Sequence, residues 1–383
     1  MRQARRVQKA RRLSTFSFSA AGARTDVVVG EGACAGFDER LRRIAPGRWF
    51  LISSKKIFRL HGPKLFAGGV GRLEPRPLFV PDGEAAKTWD VLGRLLEELV
   101  RRGLRRDGGV VALGGGTVGD VAGLAAALAL RGVPVVQAPT TLLAASDSAL
   151  GGKTAVDLPS GKNLAGAFHP ARLVVVDTSM LVTLPLRAYR SGLAEVAKTS
   201  MLDASFHRAM AGLEAPLSAR EPAAVSEAVR RSLGVKARAV ARDPFERTGE
   251  RAALNLGHTV GHALEAASGH RLEHGEAVAW GLLAALRLSV TRAGLPPGMA
   301  EALAGRVVRL VVAPQPSAAA VRGVSSRLRA DKKTDRRGLR AVVLARPGRA
   351  MLVSVDATEL LDAFEGVLAR YNTVGWVSPG FRA

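Results

Sequence analysis

Cysteine is almost missing: Cys34 is the single one in 383 residues. No disulfide can therefore form within the chain, and a metal would have to be held by imidazole and carboxylate. Aromatic residues reach only 5%, which leaves few surfaces for stacking nucleobases. Acidic residues are scarce as well, 33 against 56 Lys and Arg, giving a net charge of +23. That charge invites a nucleic-acid reading, but arginine is spread through helical patterns rather than gathered in one stripe, so the reading stays a minor alternative. Long apolar runs are absent; the longest, such as 277–286, are too short to cross a bilayer. The expectation is a cytoplasmic protein with neither nucleic acid nor membrane as partner.

What is present is an ordinary globular composition, 47% hydrophobic, in a chain long enough for two domains. The first 25 residues carry seven basic side chains and no acidic one, and lack the apolar stretch of a secretory signal. Residues 1–25 read as a basic, disordered extension. From 26 to 185, β-rich runs (26–30, 49–53, 77–80, 110–113, 135–137 and 173–177) alternate with helical segments such as 85–102 and 118–130. Such alternation predicts an α/β domain on a parallel, Rossmann-like sheet. From 186 to 383 the pattern is mostly α-helical, with runs near 187–203, 220–242, 252–267, 275–293, 298–310 and 357–370 and a hairpin at 340–355.

Arg251, Asn255, His258 and His262 are spaced 4, 3 and 4 in a run otherwise rich in apolar and small residues. On one α-helix that spacing keeps all four within roughly a 60° arc. A buried polar stripe needs partners, and a metal with an anionic substrate would satisfy a cation, an amide and two imidazoles together. A solvated face more usually carries Lys and Glu. His258 and His262 mimic the HExxH pair of zinc proteases, but Thr259 stands where that motif needs glutamate. His274-Gly275-Glu276 opens the next apolar helix, so His274 can face His258 across a turn. Glu195 and Lys198, in RSGLAEVAK, share a face of a helix whose other positions are apolar; a surface ion pair is the plain alternative.

In the first domain the run 110–113 leads into Gly114-Gly115-Gly116-Thr117-Val118-Gly119-Asp120 and then a helical pattern. Glycines at such a turn let backbone amides approach a pyrophosphate. Otherwise Thr117 is an N-cap with Asp120 three residues on. Asp82-Gly83-Glu84-Ala85-Ala86-Lys87 supplies ribose and adenine contacts or caps the next helix. Gly152-Lys153-Thr154 invites a P-loop assignment, but the required glycine five residues earlier is Asp147, so the motif fails. What remains, from Asp147 through Lys153 to Gly161-Lys162-Asn163, is a glycine-rich loop suited to a phosphorylated ligand.

With these residues in place, the chain resembles the 3-dehydroquinate synthases of the sugar phosphate cyclase family over roughly 26–370. GGGTVGD, RGVPVVQAPTTLLAASDSALGGKTAVDLPSGKNLAGAF, SGLAEVAK, LNLGHTVGHALE, HGEAV and DKK occur in the family's order. The resemblance implies NAD in the first domain. Asp82, Gly83, Glu84, Lys87, Gly115, Gly116, Thr117, Val118, Gly119 and Asp120 match its binding positions. Thr140, Thr141, Lys153, Lys162, Met180, Leu181, Val182 and Thr183 complete that set. It also implies one divalent metal, zinc or cobalt, on Glu195, His258 and His274. The matching substrate positions are Asp147, Lys153, Asn163, Lys198, Lys236, Arg251, Asn255, His262 and a lysine of Asp331-Lys332-Lys333, taken as Lys332. His262 becomes the acid/base beside the metal rather than a ligand. Arg131 matches an arginine that the family supplies from the neighbouring subunit, which implies a homodimer.

The reaction so implied is the shikimate-pathway conversion of 3-deoxy-D-arabino-heptulosonate 7-phosphate to 3-dehydroquinate and phosphate. NAD oxidises the C5 hydroxyl, phosphate leaves by β-elimination, the hydride returns, and an intramolecular aldol step closes the ring. Two departures stand out. DPFERTGER (243–251) has Pro244 where the family usually has Glu, and one residue more, which leaves the register of Lys236 against Arg251 open. Ser53-Ser54 stands where the family often has Thr-Asp near the adenosine. The alternatives are a sister cyclase of the 2-epi-5-epi-valiolone or 2-deoxy-scyllo-inosose synthase type, and a metal-dependent polyol dehydrogenase of related fold.

Overall fold

The computed structural model describes residues 13–66, 71–269, 271–334 and 339–374, leaving aside the side chains of 330–334 and 372–374. The chain begins with β1 (Ser14–Ala20), β2 (Ala23–Gly30), α1 (Phe37–Ile44), β3 (Trp49–Ser54), α2 (Lys55–Phe66) and β4 (Leu78–Val80). Then come α3 (Trp89–Arg101), β5 (Gly109–Gly114), α4 (Gly116–Leu128), β6 (Val135–Pro139), β7 (Lys153–Leu158), β8 (Gly161–Phe168) and β9 (Leu173–Asp177). Helices follow: α5 (Leu186–Met201), α6 (Ala204–Ser218), α7 (Pro222–Arg242), α8 (His258–Ala267), α9 (His274–Ala293), α10 (Pro297–Val311) and α11 (Ala318–Thr334). The hairpin β10 (Arg340–Arg346) and β11 (Arg349–Ser354) precedes α12 (Ala357–Val374).

Seven strands form one sheet in the order β1-β2-β9-β6-β5-β3-β4. All neighbours run parallel except β1 with β2. The central strands β3, β5, β6 and β9 are buried at every position and mostly apolar because both faces are covered. Phe50, Ile52, Val110, Ala112 and Val174 belong to a core that includes α3 and α4 and continues into the helical part. Their alternates Leu51, Val111, Leu113, Val136 and Val175 pack with Phe37, Leu41 and Leu65 of α1 and α2. An α/β part followed by a helical part is thus the architecture.

Two expectations need correction. Residues 14–25 do not belong to a disordered extension. β1 pairs with β2, Ser14 opposite Val29 and Ala20 opposite Ala23, and Phe16 and Phe18 pack on the core from alternate positions. Ala21 and Gly22, at φ 51° and 74°, make the two-residue turn that such a hairpin favours. The segment around Lys153 and Lys162 is likewise no simple loop: β7 and β8 form a separate antiparallel hairpin.

α9 is the centre of the helical part, packed by α5, α8, α10 and α12. Two of its glycines allow backbone-to-backbone crossings. A Cβ at Gly275 would sit 2.5 Å from the Ser191 carbonyl carbon of α5, and one at Gly281 2.8 Å from the Gly261 nitrogen of α8. These crossings set the start of α9 against α5 and the start of α8 against α9, so that His258 and His274 both reach Glu195.

Candidate active site

A cavity of about 540 Å³ opens where the α/β part meets the helical part. Asp120, Asp147, Lys153 and Asn163 line it from the first part. Lys198, Lys236, Arg251, Asn255, His258, His262 and His274 line it from the second.

Glu195, His258 and His274 each offer one ligand atom, all within 4.8 Å of one another. Glu195 lies in the stretch of α5 from 191 to 201 that is buried at every position. It forms an ion pair with Lys198, and its Oε1 lies 3.5 Å from Nε2 of both His258 and His274. Neither carboxylate oxygen accepts a hydrogen bond of good geometry among the described residues. Buried acceptors are costly without partners; Oε2 faces the Lys198 ammonium, and a cation between the three side chains would satisfy Oε1. The other imidazole nitrogens are already engaged: His274 Nδ1 with Glu265 at 2.9 Å, His258 Nδ1 with the Leu256 carbonyl at 3.1 Å. Both rings therefore present Nε2 inward, the usual arrangement for imidazole ligands. The His262 ring is 5.0 Å from that of His258, yet His262 is not one of the three.

The electrostatics follow from burial and these neighbours. Burial, aided by Lys198, pushes His258 down to about 3. Burial opposes the charged form of His274, but Glu195 and Glu265 prevail and raise it to about 10. Burial likewise opposes ionised Glu265, while His274 and Lys162 pull it down to about 2.

The polar stripe does not lie on one α-helix. Arg251 and Asn255 sit in a 3-10 turn (Glu250–Asn255), and α8 begins only after Gly257 at φ 79°. Glycine is required there twice over: for that φ, and because a Cβ would come within 2.7 Å of Leu282 N on α9. All four stripe residues still face the same cavity.

Lys236 pairs with Asp147 at 2.8 Å, and burial lowers its pKa in spite of that carboxylate. Asp243 accepts the amides of Arg247, Thr248, Gly249 and Arg251 and so folds the 243–251 loop upon itself. The extra residue is absorbed in this loop, since Lys236 and Arg251 still line one wall. Glu246, at the loop's tip with φ 56°, reaches both Lys153 at 2.6 Å and Arg251 at 3.1 Å.

On the nucleotide side, α4 starts at Gly116 with Gly115 as an N-cap that has no side-chain hydrogen bond. Thr117 lies inside the helix, so the Thr117 and Asp120 cap is not formed. Asp120 takes the Lys87 ammonium at 2.7 Å instead, and Lys87 also donates to Asn163. Thr140 Oγ1, buried just after β6, has no partner among the described residues. A Cβ at Gly115 would stand 3.0 Å from Thr141, and one at Gly116 3.1 Å from Ser148 Oγ. A helix start without a side-chain cap, glycines in a confined turn and an unpartnered hydroxyl fit an anionic dinucleotide. Lys162 bridges Glu84 and Glu265, 3.3 Å from each.

Some expected positions lie apart. Asp82 and Gly83 begin the short turn that carries Glu84. Met180, Leu181, Val182 and Thr183 form a 3-10 turn after β9, the first two buried and Val182 67% exposed. Arg131 is exposed at φ 67°, away from the cavity wall. The Lys332 side chain lies outside the described residues. Sequence reasoning missed Glu246 and Glu265. Glu265 simply continues the spacing of His258 and His262 by three more residues, and Glu246 sits where the loop departs from the family pattern.

Residues 77–191 match the family model described as 3-dehydroquinate synthase N-terminal, and 192–334 that described as 3-dehydroquinate synthase C-terminal. The chain belongs to the 3-dehydroquinate synthase family. The boundary between the two family models falls within α5. A 3-dehydroquinate synthase of Xanthomonas oryzae is 43% identical over 351 residues, 86% of this chain and 92% of its own length. One from Paracoccus denitrificans is 47% identical over 274 residues, 70% and 74% of the two chains. Among solved structures, a 2-deoxy-scyllo-inosose synthase complexed with carbaglucose-6-phosphate, NAD+ and Co2+ matches with a TM-score of 0.79 at 25% identity, covering 92% of this chain and all of that one. A 2-epi-5-epi-valiolone synthase from Streptomyces hygroscopicus, with NAD+ and Zn2+ bound, gives 0.79 at 26% identity over 94% and 99%.

Proposed function

We propose that this chain converts 3-deoxy-D-arabino-heptulosonate 7-phosphate to 3-dehydroquinate and phosphate, as a cytoplasmic homodimer using NAD and one divalent ion. The observation that carries the reading is the clustered set Glu195, His258 and His274, with neither Glu195 oxygen in a hydrogen bond of good geometry among the described residues, beside a cavity walled by Lys153, Lys198, Lys236 and Arg251. Glu195, His258 and His274 would hold the ion. The turn after β5 with Asp120, Lys87 and Thr140 would hold the nucleotide. When bound, the ion supplies Lewis-acid polarisation at a substrate oxygen, and NAD takes and returns a hydride.

The chain's own residues do the rest. Arg251 offers a carboxylate a two-pronged donor, with Lys236 and Asn255 beside it. Lys153 and Lys198 hold the phosphate and the charge that develops as it leaves, with Lys332 of the same chain and Arg131 of the partner subunit completing the cluster. His262, beside the metal ligands but not one of them, moves the proton of the reacting hydroxyl. Asp147 and Asn163 orient the substrate's hydroxyls.

The sister-cyclase reading is not favoured, because the 3-dehydroquinate synthases are far closer in sequence than either of those solved structures. The test is direct. Protein supplied with Co2+ or Zn2+, NAD and the heptulosonate phosphate should release phosphate and 3-dehydroquinate in equal amounts, with no net NADH. Stoichiometric NADH would point to a polyol dehydrogenase.

A further inference from the structure

Among the described residues not yet given a role, Glu265 touches a candidate metal ligand and a candidate nucleotide residue at once. One carboxylate oxygen receives His274 Nδ1 at 2.9 Å, and the other lies 3.3 Å from Lys162 Nζ. Lys162 is shared: Glu84 stands 3.3 Å from the same ammonium. Glu84 belongs to the turn Gly83–Ala86, whose next residue, Lys87, holds Asp120 of α4 at 2.7 Å. Polar contacts therefore lead from α9 through α8 and β8 to Glu84, and the backbone of its turn carries them on to Lys87 and α4. They join the candidate metal ligands to the candidate nucleotide turn.

We propose that Glu265 and Lys162 are positioning residues that make metal affinity depend on nucleotide occupancy. The inference rests on the functional reading above, in which Glu195, His258 and His274 hold the ion and the 82–87 turn and Lys162 face NAD. Glu265 fixes the His274 ring so that Nε2 faces Glu195, and its charge strengthens that nitrogen as a donor. Lys162 draws part of this charge to itself. A nucleotide phosphate that engages Lys162 releases that share to His274, and the ion is held more tightly. By linkage the ion must tighten the nucleotide by the same factor.

The experiment is calorimetric titration of Zn2+ into the metal-stripped full chain, with and without saturating NAD. Wild type should bind Zn2+ about fivefold or more tightly with NAD present. Glu265→Gln, nearly isosteric, should lose about 10- to 100-fold in Zn2+ affinity and the NAD effect with it. Lys162→Met leaves Glu265 undivided. Without NAD it should bind Zn2+ more tightly than wild type, and NAD should add nothing. A purely structural role for either residue predicts weaker binding with the coupling intact. Wild-type affinity in Glu265→Gln, or unchanged coupling in Lys162→Met, overturns the proposal, and the second variant decides if the first does not fold. Wild-type chain that takes up no Zn2+ sensitive to Glu195→Ala, or binds no NAD, overturns the functional reading and this proposal together.

Discussion

Gly275→Ala tests whether a helix crossing, and not only its ligands, makes the metal site. The added methyl would lie 2.5 Å from the Ser191 carbonyl carbon and 2.8 Å from its Cα, where ordinary contact begins at 3.4 Å. Both obstacles are backbone, so no rotamer change relieves them. The Ser191 carbonyl oxygen is nearer still, so α9 must withdraw from α5 by more than ~1 Å, a strain at or above the top of the usual overpacking range of ~1–3 kcal/mol. His274 immediately precedes Gly275, and Glu195 is one turn beyond Ser191. The withdrawal therefore acts on the 3.5 Å separation between His274 Nε2 and Glu195 Oε1. Ligand distances hold to about 0.2 Å, so a shift of this size is ruinous to the site while the fold survives it. Zn2+ affinity, titrated into metal-stripped protein, should fall by ~100-fold or more while melting drops by only several degrees. Gly212→Ala on α6, where a Cβ meets nothing within 4 Å, is the control and should leave both unchanged or slightly improve stability. Wild-type Zn2+ affinity in Gly275→Ala would refute the reasoning.

His274→Ala should empty the metal site, whereas His262→Ala should keep stoichiometric metal and lose rate; elemental analysis beside single-turnover assays separates them. The heptulosonate phosphate should be preferred over sedoheptulose 7-phosphate by ~10²-fold in kcat/KM, and Arg251→Ala should reduce that preference about tenfold or more. Equal use of both substrates by wild type would sink the carboxylate assignment. Burial, against the pull of Arg220, holds the Tyr189 phenol up at about 12 from an ordinary value of 10.0. A raised folded pKa gives stability that is complete below 10.0 and lost as pH climbs through about 12, worth ~2–3 kcal/mol. Urea unfolding at a series of alkaline pH values should show this loss in wild type and a flatter curve in Tyr189→Phe.

Periodicity revealed the buried strands well, because runs such as 110–113 and 173–176 are apolar at every position and bounded by breakers. β1 escaped because its alternation is carried by Phe16 and Phe18 among serines, beside a block of arginines that dominates the composition. β7 and β8 escaped for the opposite reason, since glycines and lysines there look like loop chemistry while the backbone pairs regularly. The cluster Glu195, His258 and His274 could be named from spacing plus resemblance, but no helical arithmetic could anticipate the break at Gly257. That break is dictated by how close α9 passes, a tertiary fact. Glu265 shows the converse, a residue in register with the histidines whose role depends on Lys162 arriving from a distant strand.

Glu246 sits between Lys153 and Arg251. The cation cluster is therefore never bare: its own loop supplies a resident anion at the millimolar-scale effective concentration of a short tether. Arrival of an anionic ligand becomes an exchange of one carboxylate for another rather than the filling of a positive hole. Chloride or free phosphate must outcompete a tethered rival, and gains little. A molecule bringing a carboxylate and a phosphate together displaces it at two points at once. On the proposed function, selection against simple cellular anions would thus depend on the loop's own glutamate as much as on the cations that face it.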